Sequence, residues 1–270
     1  MKAPLALFAL AATAGFADVY LDSRNNSIAV PYGPIAFADE VVSYDNLFGG
    51  GPAPTNGKFL DSDQALEWPD YTGGDNGTGA VSLGCGGRIV LKFTNNVLVA
   101  DGTEKHDLCI FEVGPDIERT FVAISRDGLA WIPVGEVGGA TSTIDLDAVP
   151  AIAAIPSGEE KRFYYVRLTD DPAADEKRGD TVGADIDAVA ALSTLPVLEV
   201  DPLAITQTAA DRVALTFQTQ IGEIYYIQHS ADLVDWTMIA PAGFYGDGAL
   251  YTRTRTINTS RDFFRVVRYE

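Results

Sequence analysis

The sequence predicts an all-β fold, an antiparallel jelly-roll-like β-sandwich followed by a smaller β-sandwich-like domain. Short segments of alternating or β-branched character recur along the 270 residues, each closed by Gly, Asp or Asn. Helical periodicity is hard to find after the first residues. Strands that follow one another through turns, with no helix between them, pair antiparallel rather than forming a parallel sheet. A composition that is 47% hydrophobic and 10% aromatic supplies a core for such a fold.

Met1 to Ala17 carries one Lys, an apolar run from Ala3 to Leu10 and small residues ending Gly15-Phe16-Ala17. The run is too short for the roughly 20 apolar residues of a membrane span, so the segment reads as a secretory signal peptide with cleavage after Ala17. Strands are then expected at Arg88 to Phe93, Leu108 to Val113, Thr120 to Ser125, Ala130 to Val134, Arg162 to Leu168, Arg212 to Gln218 and Ile224 to Gln228. In the first of these Ile89, Leu91 and Phe93 share one face and Lys92 takes the other. Asp145 to Ala154 has room for a turn or two of helix. The Gly-, Pro- and Asn-rich stretches Phe48 to Gly57 and Asp70 to Gly79 are expected surface loops. The Pro-containing stretch from Leu195 to Pro202 suggests a boundary, which divides the chain into a leader (1–17), a main sandwich (18–197) and a small C-terminal β-domain (198–270). Ser125-x-Asp127-x-x-x-Trp131 and Ser230-x-Asp232-x-x-x-Trp236 repeat one spacing. Each reads as a turn capped by Ser and Asp, with a Trp on the returning strand.

The 38 acidic against 19 basic residues give a net charge of −19, which argues against nucleic acid and anionic membranes as partners. Asp outnumbers Glu 26 to 12. Short carboxylates on loops suit Ca²⁺, which takes oxygen ligands from side chains and backbone carbonyls. The candidate ligands are Asp101, Asp107, Glu112, Asp170, Asp185 and Asp187; the last pair lies on one side of an extended strand. Trp68, Tyr71 and Tyr44, near the glycine-rich loops, are candidates for stacking on a sugar. In an exported chain Cys85 and Cys109 invite a disulfide, with two buried thiols as the other reading. His106 and His229 belong to no catalytic motif, and Asp145 with Asp147 is a carboxylate pair whose separation decides whether it could act on a glycosidic bond.

The ordered series Ala65 to Asp70, Ala80 to Val90, Asp107 to Glu112, Val122 to Trp131, Tyr165 to Asp170 and Gly183 to Val189 resembles a bacterial exported β-sandwich module found in cell-surface proteins. It is similar in outline to galactose-binding-like jelly rolls, among them discoidin-type and carbohydrate-binding modules. The resemblance covers residues 36 to 195. It implies a secreted, calcium-stabilised, non-catalytic binding or adhesion module and supports Asp107, Glu112, Asp170, Asp185 and Asp187 as metal or structural residues. The loop Asp101 to Asp107 departs from the shorter form of the family, which sets Asp101 apart. Ile205 to Tyr269 is similar to small β-domains that end exported proteins of environmental bacteria. The expected function is recognition of a glycan or another cell-surface component. The rivals are a structural or adhesive protein that binds other proteins, and a secreted glycoside hydrolase.

Overall fold

The computed structural model describes residues 17–73, 79–114, 118–156, 161–173, 179–199, 203–220, 223–233, 235–239, 243–257 and 261–269. The rest of the expected leader lies outside them. No helix among the described residues is long and apolar enough to cross a membrane.

The fold is all-β, and the strand pairs are antiparallel. A four-stranded sheet orders Thr141–Ile144, Leu108–Val113, Asp185–Ala191 and Val81–Ser82; a five-stranded sheet orders Glu40–Asp45, Arg88–Lys92, Tyr165–Asp170, Arg119–Ser125 and Trp131–Gly138. Their facing side chains, among them Ile89, Leu91, Leu108, Ile110, Val122, Ile124, Val166 and Leu168, make the main core. Alternation accounts for this, because every second residue of Arg88–Lys92 and Tyr165–Asp170 turns inward while Arg88, Lys92, Tyr165 and Arg167 turn out.

The two sheets differ on their outer faces. Leu108–Val113 is buried at every position, because Cys109 and Phe111 pack outward against Val30, Ala36 and Phe37. An N-terminal hairpin, Asp18–Leu21 with Ser27–Val30, contributes to that cover. The five-stranded sheet instead keeps charged and aromatic side chains on its outer face.

A C-terminal three-stranded sheet, Ala204–Ala209, Arg212–Gln218 and Leu250–Thr256, packs on Ile224–Ser230 and Phe263–Tyr269 around Phe217, Tyr225, Leu215 and Val266. The strand Thr194–Glu199 pairs with Asn96–Val99 on one side and Phe263–Tyr269 on the other. The boundary expected between 197 and 198 therefore falls inside a strand shared by both units. The turn expected within Asp145 to Ala154 is a short helix, Pro150–Ala153.

Candidate functional site

The six acidic candidates do not converge on one centre. Asp170 is buried, and its carboxylate accepts N–H groups from Gly86 (2.8 Å) and Ala184 (3.0 Å), tying a glycine turn to the strand that follows. Asp187 occupies a bulge between Ile186 and Ala188 and accepts the N–H of Asp70 at 3.1 Å. It thereby anchors the loop that carries Trp68 and Tyr71. Asp185 accepts a hydrogen bond from the Ser82 hydroxyl. Glu112 accepts the Gly139 N–H at 3.0 Å, and its other carboxyl oxygen is buried without a hydrogen-bond partner among the described residues. Burial, which disfavours the ionised form, pushes Asp185 and Asp187 up to about 7 and Glu112 up to about 8.

Asp101 and Asp107 do come together, and Asp147 joins them: the three carboxylates offer oxygens within 4.8 Å of one another. Asp107 is fully buried at the start of its strand. One of its oxygens accepts the Leu146 N–H at 2.8 Å, whereas the other is buried with no hydrogen-bond partner among the described residues. Burial first, and then the charges of Asp101, Asp147 and Asp145, raise Asp107 to about 7. Asp147 also accepts the Gly102 N–H and pairs with Lys161 at 2.7 Å. Three hard oxygen donors, one with a buried oxygen left open, are groups that could hold a divalent cation. In the sequence Asp147 stands out only beside Asp145, because the strand-to-loop path that brings it to Asp101 is a tertiary feature.

The three aromatic candidates form no common platform. Trp68 is 45% exposed. Tyr71 packs on Phe59 with ring centroids 6.3 Å apart. The Tyr44 hydroxyl donates to the Ser82 carbonyl at 2.6 Å, and its ring leans on the main core. The expected disulfide is not formed. Cys85 lies in the Gly84–Gly87 turn, where its carbonyl oxygen and thiol close against the position of Gly51. Cys109 sits in mid-strand opposite Ala190 and Thr143 and points into the cluster around Phe37. Both are buried thiols, and burial pushes Cys109 up to about 12. The sequence shows two cysteines in neighbouring strand-like segments, but only the fold shows their directions.

A different surface gathers aromatic and cationic groups. On the outer face of the five-stranded sheet a groove of about 480 Å³ is lined by Arg88, Arg167, Phe121, Thr169 and Glu136, among others. Beyond it, where this sheet meets the C-terminal unit, a cleft of about 610 Å³ is lined by Lys92, Tyr165, Arg162, Tyr226, Trp236 and Arg265, among others. The guanidinium groups stack on rings: Arg88 over Phe48 (3.5 Å), Arg167 over Trp131 (4.4 Å), Arg265 over Trp236 (4.3 Å) and Arg162 over Tyr226 (5.7 Å). Lys92 lies 6.0 Å from the Tyr165 ring. The repeated Ser-x-Asp-x-x-x-Trp turns place Trp131 and Trp236 here. In both, the serine oxygen accepts the N–H three residues on, at 3.0 Å from Gly128 and 2.8 Å from Leu233. The repeat was legible in sequence as a turn, but the role of its tryptophans beneath arginines was not. The sequence signal was Arg and Lys at the outward positions 88, 92 and 167.

No protein-family model matches the chain, and no curated protein does. Among solved structures, the C-terminal domain of a chitobiase from Bacteroides fragilis is similar at 16% identity and a TM-score of 0.30, covering 64% of this chain and 96% of that one. An allantoicase aligns at 9% identity and a TM-score of 0.34 over 87% and 92% of the two chains. A β-1,2-glucanase from Parabacteroides distasonis aligns at 10% identity and a TM-score of 0.20, over 67% of this chain and 28% of that one. At these values the likenesses carry neither ligand nor activity across.

Proposed function

We propose that the chain is an exported, non-catalytic binding module that recognises a glycan on the outer face of its five-stranded sheet and in the adjoining cleft. The observation that carries this reading is the contrast between the two outer faces: one is covered by the N-terminal segment, and the other carries Trp131 and Tyr165 and adjoins the cleft lined by Trp236, with a cationic hydrogen-bond donor at each ring. Flat aromatic faces beside donors are what a sugar ring, apolar on one face and hydroxylated at its edge, can use. Asp127, the acidic residue lining the cleft, has its carboxylate engaged by the N–H groups of Leu129 and Ala130. This favours binding over hydrolysis, which needs two facing carboxyl groups. Export rests on the Met1–Ala17 pattern, since the cysteines supply no disulfide argument.

The test is a glycan array probed with residues 18–270 and repeated with Trp236→Ala. Binding to a defined sugar class that weakens about tenfold in the variant supports the reading. Silence across the array overturns it and favours the structural or adhesive alternative.

As part of the same reading, a Ca²⁺ is held by Asp101, Asp107 and Asp147 and completed by backbone carbonyls and water. The open buried oxygen of Asp107 supports it. Neutralising the three carboxylates would fix the Asp101–Asp107 loop against the Asp147 segment. Calcium should raise the melting temperature of the wild-type chain by a few degrees and leave Asp107→Asn unmoved; identical melts in calcium and in chelator would remove the cation.

A further inference from the structure

We infer that the ligand of this face is an acidic saccharide, carrying carboxylate or sulfate groups, and that Arg88 and Arg167 are the residues that select its charge. The inference rests on the reading of this face as a glycan site and names the class of glycan.

Charge is placed unevenly on this molecule. In a chain of net charge −19, the cleft lining holds Lys92, Arg126, Arg162 and Arg265 against Asp127, and the groove lining holds Arg88 and Arg167 against Glu136. The nearby acids are largely engaged. Glu136 pairs with Arg119 at 3.0 Å, Asp127 closes its own turn, and Glu40 pairs with Lys92 at 3.0 Å with Asp235 at 4.0 Å on the other side. Arg88 donates to the Thr169 hydroxyl at 3.0 Å and makes no ion pair among the described residues. The Arg167 side chain has neither a hydrogen bond nor an ion pair among them; its guanidinium lies over the Trp131 ring. The two guanidiniums stand on paired strands, close enough that Arg88 feels the charge of Arg167, opposed in part by that of Asp45 across from it on the third strand.

Two adjacent, half-buried cations that share only Asp45 beside Arg88, itself in no ion pair among the described residues, are tolerable while water reaches them. A ligand seated in the groove removes that water, and a neutral ligand would leave Arg167 uncompensated and Arg88 only partly compensated. An anionic group placed between them accepts paired N–H donors from planar guanidiniums already oriented by stacking on Phe48 and Trp131. The surrounding negative charge narrows the choice further. A densely charged nucleic acid is repelled by the rest of the surface, whereas a sugar acid with isolated charges meets the cationic patch over distances shorter than the screening length.

The experiment measures binding of the full chain to polygalacturonate, a sulfated galactan, a neutral galactan and single-stranded DNA, at low and raised salt. Wild type and the variants Arg167→Gln, Arg88→Gln and Arg167→Lys are compared. The expected result is binding to one or both acidic polymers that weakens with salt, with about tenfold or greater loss in each Gln variant and partial retention in Arg167→Lys. Preference for polygalacturonate assigns carboxylate and preference for the sulfated polymer assigns sulfate; both support the inference. Neutral galactan bound as tightly as the acidic polymers, with Arg167→Gln unchanged, overturns the charge inference and leaves glycan binding standing. Binding of none of the glycans overturns both readings, as does binding of DNA in their place. Near-ultraviolet circular dichroism confirms that the variants remain folded, and agreement between the Arg88 and Arg167 variants guards against a local defect at either site.

Discussion

The turns Ser125–Trp131 and Ser230–Trp236 run the same hydrogen bonds, with the serine oxygen accepting one N–H three residues on and the aspartate accepting another further along. Both need a left-handed residue at the fourth position. In the main sandwich it is Gly128 (φ 74°); in the C-terminal unit it is Leu233 (φ 73°). A β-carbon on Gly128 would approach the Tyr165 ring at 3.4 Å, whereas Leu233 is 56% exposed. At 3.4 Å that β-carbon would be in ordinary van der Waals contact, so the ring leaves room for it: the turn tolerates a side chain at this position, as Leu233 shows, and what disfavours one at Gly128 is the left-handed backbone.

The largest effect expected serves as the baseline for this comparison. Glu112, Asp185 and Asp187 hold their protons more tightly folded than unfolded, with values of about 8, 7 and 7 against 4.5, 3.8 and 3.8. The folded chain thus binds more protons at these groups between these limits, so the stability they contribute is full near pH 4, falls as pH rises and is lost above about 8. A tenfold difference in proton affinity between the folded and unfolded chain corresponds to about 1.4 kcal/mol. Chemical denaturation from pH 5 to 9 checks the sign, and a rise in stability over that range would contradict the burial assigned to these carboxyls. Asp127, held below 3.8 mainly by the N–H groups of Ala130 and Leu129, stays ionised throughout, so its turn contributes no slope.

Ser125→Ala and Ser230→Ala should each cost about 2 kcal/mol, because both serines are buried and each substitution leaves turn N–H groups unpaired. Both should shift one thermal transition, since Thr194–Glu199 carries hydrogen bonds to both units; two transitions shifting separately would show that the units unfold apart. Gly128→Ala should cost about 1 kcal/mol from the left-handed backbone. Leu233→Gly should gain about 0.5 kcal/mol, the relief of strain being partly offset by unfolded-state entropy. A Gly128→Ala cost well above the backbone figure, in paired denaturation curves, would show that the Tyr165 ring resists the added carbon.

Much of the fold was legible. Arg212–Gln218 and Leu108–Val113 have the expected bounds, and the inward positions of Arg88–Lys92 follow from alternation alone. Glu40–Asp45, Leu250–Thr256 and Phe263–Tyr269 do not stand out in the sequence. The first is interrupted by a bulge at Val41/Ser43, and the second alternates exposed with half-buried residues, so the hydrophobic contrast that marks a strand is weak. Of the candidate site, Asp101 and Asp107 were legible as carboxylates beside a turn, but Asp147 and the Arg88–Arg167 pair required neighbours distant in sequence.

By itself the sequence determined the class of structure, the turn chemistry and the excess of negative charge, because periodicity, capping and composition are local or additive properties. Only the tertiary structure decided that Asp187 and Asp170 hold loops through N–H groups, that Cys85 and Cys109 stay buried thiols in different surroundings, and that scattered cations of an acidic chain meet on one face. Those outcomes depend on strand register and on which sheet face is covered, and both are fixed by contacts between segments many residues apart.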